Sequence, residues 1–431
     1  MTDLKRRRFL QLGTAALLAS GCTTLSDAGK NTAKTRKFHV AIVGGGYAGA
    51  STARYLKEID PAIQVTLIEY DKVYATAPAS NWVIGGLKPF PSILAKYRKL
   101  EKLGVRVIHD WVTAVDVAGK NLRFEDGSRL GYDRLVLAPG IAMDWQAIEG
   151  YDEKTAQTLP HGWIPGLQTQ ALSRQLKEMR RGGVYLLSRP EGDISCPQAF
   201  YERASLVANY LAEHNRAGKL LLLDVHADSA LRAHFEALWE NLFGFGKQRS
   251  VVELIAGRDA RLRRVDAVSR VVFTGAIEER HRADIVNVVP PQKAGALAQA
   301  AGLVDASGWC PVHPASGEST LVEGIHVVGD AANSGLARHA GCANQLAALC
   351  ARSIVQIASE EPQQEQAIRI VDTVDSLLTP DEGLSRTRSY QLRNGVFVHE
   401  EGDDVDGVSH GKREAERARR SWQQLRQQIW G

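Results

Sequence analysis

Gly44-Gly45-Gly46-Tyr47-Ala48-Gly49 follows the apolar run Val40-Ala41-Ile42-Val43 without a spacer. The chemistry such a loop performs is anion binding. Gly44 permits a tight turn, Gly46 lets the backbone approach a pyrophosphate, and Gly49 lets the next helix pack closely on the strand. That helix, expected from Ala50 to about Glu58, offers the unpaired N–H groups of its first turn to the anion. A second apolar run, Val65-Thr66-Leu67-Ile68, ends on Glu69, where an acid accepts from a ribose hydroxyl. Strand, turn, helix and terminal acid agree in order and spacing on a dinucleotide, with NAD and FAD both open at this stage.

A second acid narrows the choice. Thr320 to Asp330 reads as a strand ending Gly329-Asp330. In two-nucleotide-domain flavoproteins such an acid accepts from a ribityl hydroxyl, and the following helix aims its positive end at the flavin pyrimidine. Tyr132 to Gly140 is a buried strand ending Ala138-Pro139-Gly140, similar to the crossing between the two nucleotide domains of disulfide-reductase-like flavoenzymes. The candidate cofactor contacts are therefore Gly44, Gly46, Gly49, Glu69, Ala138, Gly140 and Asp330, with FAD favoured. A further strand, Val184 to Ser188, runs into Arg189-Pro190-Glu191-Gly192-Asp193-Ile194-Ser195-Cys196 with no glycine fingerprint. Nothing there supplies the close backbone approach that a tightly bound NAD(P) needs.

These elements order a chain of 431 residues, of which 44% are hydrophobic and 24% charged, an ordinary globular balance. The expected fold class is α/β, with two Rossmann-like nucleotide-binding domains of the glutathione-reductase type and a C-terminal interface domain. The FAD-binding domain takes residues 37–150 and 289–360, the second NAD-like domain 151–288, and the C-terminal domain 361–431. From Gln363 onward helical stretches are expected, with a polar loop at Glu400 to Gly407 and a last segment, Lys412 to Trp430, that is either a solvated helix with buried tryptophans or a surface that docks a partner or covers the flavin.

The front end differs in kind. Lys5-Arg6-Arg7-Arg8-Phe9-Leu10 precedes a short apolar run ending at Gly21-Cys22, the pattern of an export signal and, with its paired arginines, of a twin-arginine signal. Residues 1–22 are expected to be this signal and 23–36 a linker. Cys22 stands where a lipoprotein signal is acylated; a membrane tether through it and simple cleavage nearby are the two readings. The signal carries four basic residues and one acid, so its removal takes the formal charge from +4 to about +1, and no nucleic-acid partner is expected. The remaining cysteines, Cys196, Cys310, Cys342 and Cys350, form no CxxC pair, so no metal site is expected.

Several blocks together resemble one family. They are Val83-Ile84-Gly85-Gly86, Ala138-Pro139-Gly140, Cys196-Pro197 with Tyr201-Glu202-Arg203-Ala204, Pro290-Pro291-Gln292, Gly308-Trp309-Cys310-Pro311-Val312, Gly329-Asp330 and Ser421-Trp422. The chain from about Lys37 onward resembles the flavoprotein subunit of flavocytochrome c sulfide dehydrogenase, a relative of sulfide:quinone reductases. The resemblance implies FAD, export of the folded protein to the periplasm, and a c-type cytochrome partner that takes electrons from the flavin. It also implies attack of sulfide on a redox disulfide beside the flavin, with a carboxylate handling protons. Cys196 matches the first cysteine of that disulfide and Glu202 the carboxylate. The cysteine that tethers the flavin covalently falls at Ala77, so the FAD is expected to be non-covalent, and the second disulfide cysteine falls at Val374. What Cys196 does alone stays open: a thiolate acting singly, a new pair with Cys342, or a remnant. The function expected is oxidation of sulfide or another reduced sulfur compound, with a non-catalytic electron-transfer subunit and an NADH dehydrogenase as the alternatives.

Overall fold

The two apolar runs that bracket the glycine loop become neighbours in one parallel sheet. In the computed structural model, which describes residues 37–360, 367–400 and 407–431, strand β1 (His39–Val43) leads through helix α1 (Tyr47–Ile59) to β2 (Gln64–Ile68). The expected signal, linker and Cys22 lie outside the described residues. β1 pairs in register with β2, Val40 opposite Val65 and Val43 opposite Ile68. The sheet is completed by β3 (Arg106–Ile108) beyond β2 and by β4 (Arg134–Leu137) on the other side of β1. Such a central strand is covered on both faces, which is why Val40, Ala41 and Ile42 form an unbroken buried run instead of alternating.

The chain then builds a second parallel sheet from β5 (Val184–Arg189), β6 (Lys219–Asp224), β7 (Val252–Ala256) and β8 (Ile285–Val288), in the order β7-β6-β5-β8. Helix α2 (Pro197–His214) joins β5 to β6 with Pro197 at its first turn, where a missing N–H costs nothing. After β8 the chain re-enters the first sheet as β9 (Ile325–Val327), paired with β4, and continues into α3 (Ala340–Ala358), which packs on α1.

The expectation of helical stretches from Gln363 onward holds for the final segment and fails over residues 369–400 and 407–411. These residues form a four-stranded antiparallel sheet of β10 (Arg369–Leu377), β11 (Gly383–Arg393), β12 (Val396–Glu400) and β13 (Gly407–Gly411), with β11 paired to the other three. The alternation is present in β10 with its polarity partly inverted: Val371 faces solvent and Asp372 is buried. Hydrophobicity alone hides that period. The last element, α4 (Lys412–Ile429), is a helix whose Trp422 lies against Trp82 and whose following Trp430 stacks on Tyr74, so both indoles are buried.

Candidate active site

Gly44 has φ +101°, and a Cβ there would collide with the Ala138 carbonyl; a Cβ on Gly49 would collide with the carbonyl of Gly44. These glycines let β1, α1 and β4 converge, and they stand behind the cavity wall. A cavity of about 470 Å³ opens in front of them, lined by Gly46, Tyr47, Ala48, Ala138, Gly140 and Asp330. Gly46 to Ala48 form the start of α1, where free amides and the helix dipole favour an anion. Glu69 stands beside the loop: its Oε2 accepts from the Gly45 N–H at 2.7 Å and its Oε1 from Asp71 N–H at 3.1 Å.

Asp330 is the donor-hungry group of this cavity. It is half-buried, open to the cavity, and accepts no side-chain hydrogen bond from the described residues, and desolvation raises its carboxyl pKa against the opposing pull of His339 and Arg338. A carboxylate so placed fits a ligand hydroxyl, as ribitol presents, and the glycine edge fits a pyrophosphate. The residues present thus fit FAD. Ala77, in the same wall, offers only a methyl group.

Cys196 and Glu202 line this cavity too, carried in from the other sheet by α2. Cys196 is the N-cap of α2 with φ +46°, a left-handed conformation that a non-glycine residue adopts only under constraint. The constraints are visible. Its N–H donates to the Arg338 carbonyl at 2.6 Å, the Ser195 N–H to Gln292 Oε1 at 2.8 Å, and Trp163 Nε1 to Ser195 Oγ at 2.9 Å. Arg338 itself lies over the Trp309 ring at 3.8 Å, giving the Gly308-Trp309-Cys310 block a supporting part. Burial pushes the Cys196 thiol up to about 11, while His339 and the Ala199 amide pull it down.

Glu202 has both oxygens engaged. Oε1 accepts from Trp82 Nε1 at 2.9 Å and from Leu377 N–H at 3.0 Å, and Oε2 from Asn81 Nδ2 at 2.9 Å. Burial raises its pKa and these three donors oppose the rise. It therefore ties α2, the short helix Ser80–Ile84 and the end of β10 into one wall. Its neighbour Arg203, buried, donates to Asn81, Asn287, His161 and Gly162, and burial lowers its pKa to about 10.

Val374 lines the same cavity, and its carbonyl accepts from Gln198 Nε2 at 2.9 Å in the first turn of α2. The position where the resemblance places a second cysteine is thus close to Cys196 and holds an isopropyl group. Cys342 does not substitute: it is buried, and Cys196, Cys310, Cys342 and Cys350 are all free thiols.

The sequence gives no hint of two further features. His339, the N-cap of α3, brings Nε2 to 2.6 Å from Asp372 Oδ1 on β10, with Cys342 beside them; the three polar atoms lie within 4.8 Å of one another. Only the fold joins residues from a cap and a distant strand. At the carboxyl ends of β5 and β6, where a nucleotide would lie on the second sheet, Arg189 Nη1 donates to Tyr201 Oη at 2.7 Å. Tyr201 Oη donates in turn to Asp224 Oδ2 at 2.7 Å, and Arg232 pairs with the same oxygen at 3.0 Å. Asp224, where a ribose acid would stand, is fully buried in this network.

Two parallel-sheet nucleotide domains, a glycine loop and an acid facing a shared cavity define a two-domain flavoprotein oxidoreductase that binds FAD. Residues 169–290 match the family model described as the central part of the sulfide dehydrogenase [flavocytochrome c] flavoprotein chain, and residues 38–164 match pyridine nucleotide-disulphide oxidoreductase. The sulfide dehydrogenase [flavocytochrome c] flavoprotein chain of Chlorobaculum thiosulfatiphilum is 54% identical over 44 residues, 10% of this chain and 92% of that sequence. The mitochondrial sulfide:quinone oxidoreductase of Dictyostelium discoideum is 22% identical over 321 residues, 73% of this chain and 71% of that one. Among solved structures, the sulfide:quinone oxidoreductase of Aquifex aeolicus superposes with a TM-score of 0.72 at 16% identity, covering 91% of this chain and 92% of that one, a likeness of fold. The chain belongs to the flavoprotein family of flavocytochrome c sulfide dehydrogenases and sulfide:quinone oxidoreductases, a family of oxidoreductases acting on sulfur compounds.

Proposed function

We propose that this protein oxidises sulfide or a related reduced sulfur compound at Cys196 and hands the electrons to a c-type cytochrome. The observation that carries this reading is the position of Cys196: a thiol held in a left-handed N-cap, on the wall of the cavity that also contains Asp330 and the glycine edge. FAD, when bound, supplies the two-electron oxidant. The protein's share is to fix the sulfur through the Arg338 carbonyl and Gln292, and to close the rear of the cavity with Glu202 and Trp82. The expected twin-arginine leader supports export of the folded holoprotein to the periplasm, where such cytochromes reside, with Cys22 as a lipid-anchoring site. A quinone acceptor is the competing reading, since the Dictyostelium relative is a sulfide:quinone oxidoreductase.

The test is anaerobic addition of sulfide, a small thiol and NADH in turn to purified holoprotein, followed by flavin absorbance. Bleaching by sulfide that is lost in Cys196→Ser supports the proposal. Bleaching by sulfide that survives Cys196→Ser refutes the thiol mechanism. No bleaching by any donor points to an electron-transfer subunit, a reading that Val374 in place of a second cysteine favours, and rapid bleaching by NADH alone points to a dehydrogenase. Reoxidation by added cytochrome c but not by a short-chain quinone would support the acceptor.

A further inference from the structure

If Cys196 works without a second cysteine, something else must stabilise its anion, and the cavity holds one arrangement suited to that. Two long helices present their N-terminal ends to it: α2, capped by Cys196, and α3, capped by His339. They are joined by the Cys196 N–H to Arg338 carbonyl bond, one residue from the imidazole. Both N-caps line the cavity, as do Val374 and Asp330. His339 is held from behind. Its Nε2 faces Asp372 Oδ1 at 2.6 Å, and its Nδ1 accepts from the Gly341 N–H at 3.1 Å, so in the resting state the ring hydrogen sits on Nε2.

We propose that His339, oriented by Asp372, is the base and counter-ion of Cys196, so that a Cys196–His339–Asp372 triad ionises a single thiol on the cavity wall toward a sulfur substrate of the hydrosulfide class; joining the two sulfurs would release two electrons, which FAD, when bound, would accept. This rests on the sulfide reading above. The step is a proton transfer. The Cys196 S–H bond breaks, the proton goes to Nδ1 of His339, which gives up its bond from Gly341, and Nε2–H remains on Asp372. The product is a thiolate–imidazolium pair with no change in total charge and no electron moved. The thiolate then sits at the N-terminus of α2, whose Ala199 amide pulls its pKa down, the environment that lowers a cysteine pKa.

The charged surroundings are mixed. His339 sees Cys342 from its own helix, Asp372 from β10, Asp330 from the end of β9 and Cys196 from α2. Cys196 sees His339, Glu202 and Asp330, with Arg386 of β11 a further cation on its side. Burial works against a charged ring, yet Cys342 and Asp372 together hold the His339 pKa well above the ordinary histidine range. Asp372 itself lies below the ordinary carboxylate range: burial would raise it, and His339 more than offsets that.

The test reads the thiol directly. In a Cys22→Ser holoprotein, Cys310, Cys342 and Cys350 are buried, so alkylation by iodoacetamide, followed by intact mass between pH 6 and 10, reports Cys196. His339→Asn keeps an acceptor for the Gly341 N–H and removes the base. The proposal expects its alkylation profile to move up by about one pH unit, a rate about tenfold lower at pH 8 with flavin content unchanged. Asp372→Asn should shift it in the same direction by less. An unchanged profile in His339→Asn would reduce His339 to a helix cap and overturn the proposal, as would a stoichiometric metal ion in the purified protein that is lost in the same variant. No sulfide is needed, so a profile that shifts while sulfide fails to bleach the flavin rejects the substrate and keeps the triad.

Discussion

Glu202→Gln separates a wall-tying carboxylate from a freely exchanging acid. The carboxylate accepts three hydrogen bonds and donates none. Glutamine keeps one acceptor, which can retain Trp82 Nε1 and Leu377 N–H, and puts an NH2 where Oε2 met Asn81 Nδ2. Asn81 cannot turn to receive it. Its Nδ2 also donates to the Ala199 carbonyl at 2.8 Å, and its Oδ1 accepts from Arg203 Nε at 2.9 Å, so a flip would set its NH2 against the guanidinium. One buried donor–donor contact is therefore unavoidable. Lost bonds to charged groups are worth about 1.5–3 kcal/mol and an orphaned buried polar group about 1–3 kcal/mol, so the change should destabilise by roughly 2–4 kcal/mol. The assay is urea unfolding of the holoprotein followed by tryptophan fluorescence, with the denaturation midpoint compared at unchanged slope. A Glu202→Gln protein within about 0.5 kcal/mol of the parent would show that the wall is not fastened in this way.

Three other outcomes are expected. Gly49→Ala places a methyl group into the Gly44 carbonyl and should yield protein that purifies without flavin, read from the ratio of visible to ultraviolet absorbance. Because Ala77 offers no sulfur to the cavity, acid or heat denaturation should release the flavin into the supernatant, and flavin retained on the polypeptide would refute non-covalent binding. His161 is buried, and desolvation, with Arg203 adding to it, lowers its pKa to about 3 from an ordinary 6.5. The unfolded chain thus takes the proton first, and stability falls as pH drops below 6.5. The loss is about 1.4 kcal/mol per pH unit down to the folded pKa, or about 2 kcal/mol between pH 6.5 and 5. His161→Asn, which keeps an acceptor for the Trp163 N–H, should flatten unfolding free energy against pH by that amount.

The parts legible in the sequence were those whose chemistry is local. Gly44 to Gly49 and Glu69 belong to one strand–helix–strand unit, so spacing alone conveys the anion site, and apolar runs such as Leu220 to Leu223 announce buried parallel strands. What stayed hidden depends on inverted patterns or on distance. Asp372 faces inward on β10 because His339 meets it there, and that inversion is also why the strand was not legible as one. The Arg189–Tyr201–Asp224–Arg232 network could not be read either: a missing glycine fingerprint shows what the second sheet lacks, and only packing shows what stands in the place. Glu202 could be placed through resemblance, but its three donors come from residues some 120 and 175 positions away.

Helix α4 has a consequence for how the holoprotein is made. Its Ala418, Ser421, Trp422 and Leu425 supply cavity wall to a site whose first residue is Gly46, and it is fastened there by Lys99 to the Gln427 and Gln428 carbonyls and by Arg426 to the Leu94 carbonyl. A ribosome-bound chain lacking these residues has an open trough. Flavin retention should therefore begin only after α4 has emerged and docked, which makes cofactor loading a late event that follows the docking of this helix.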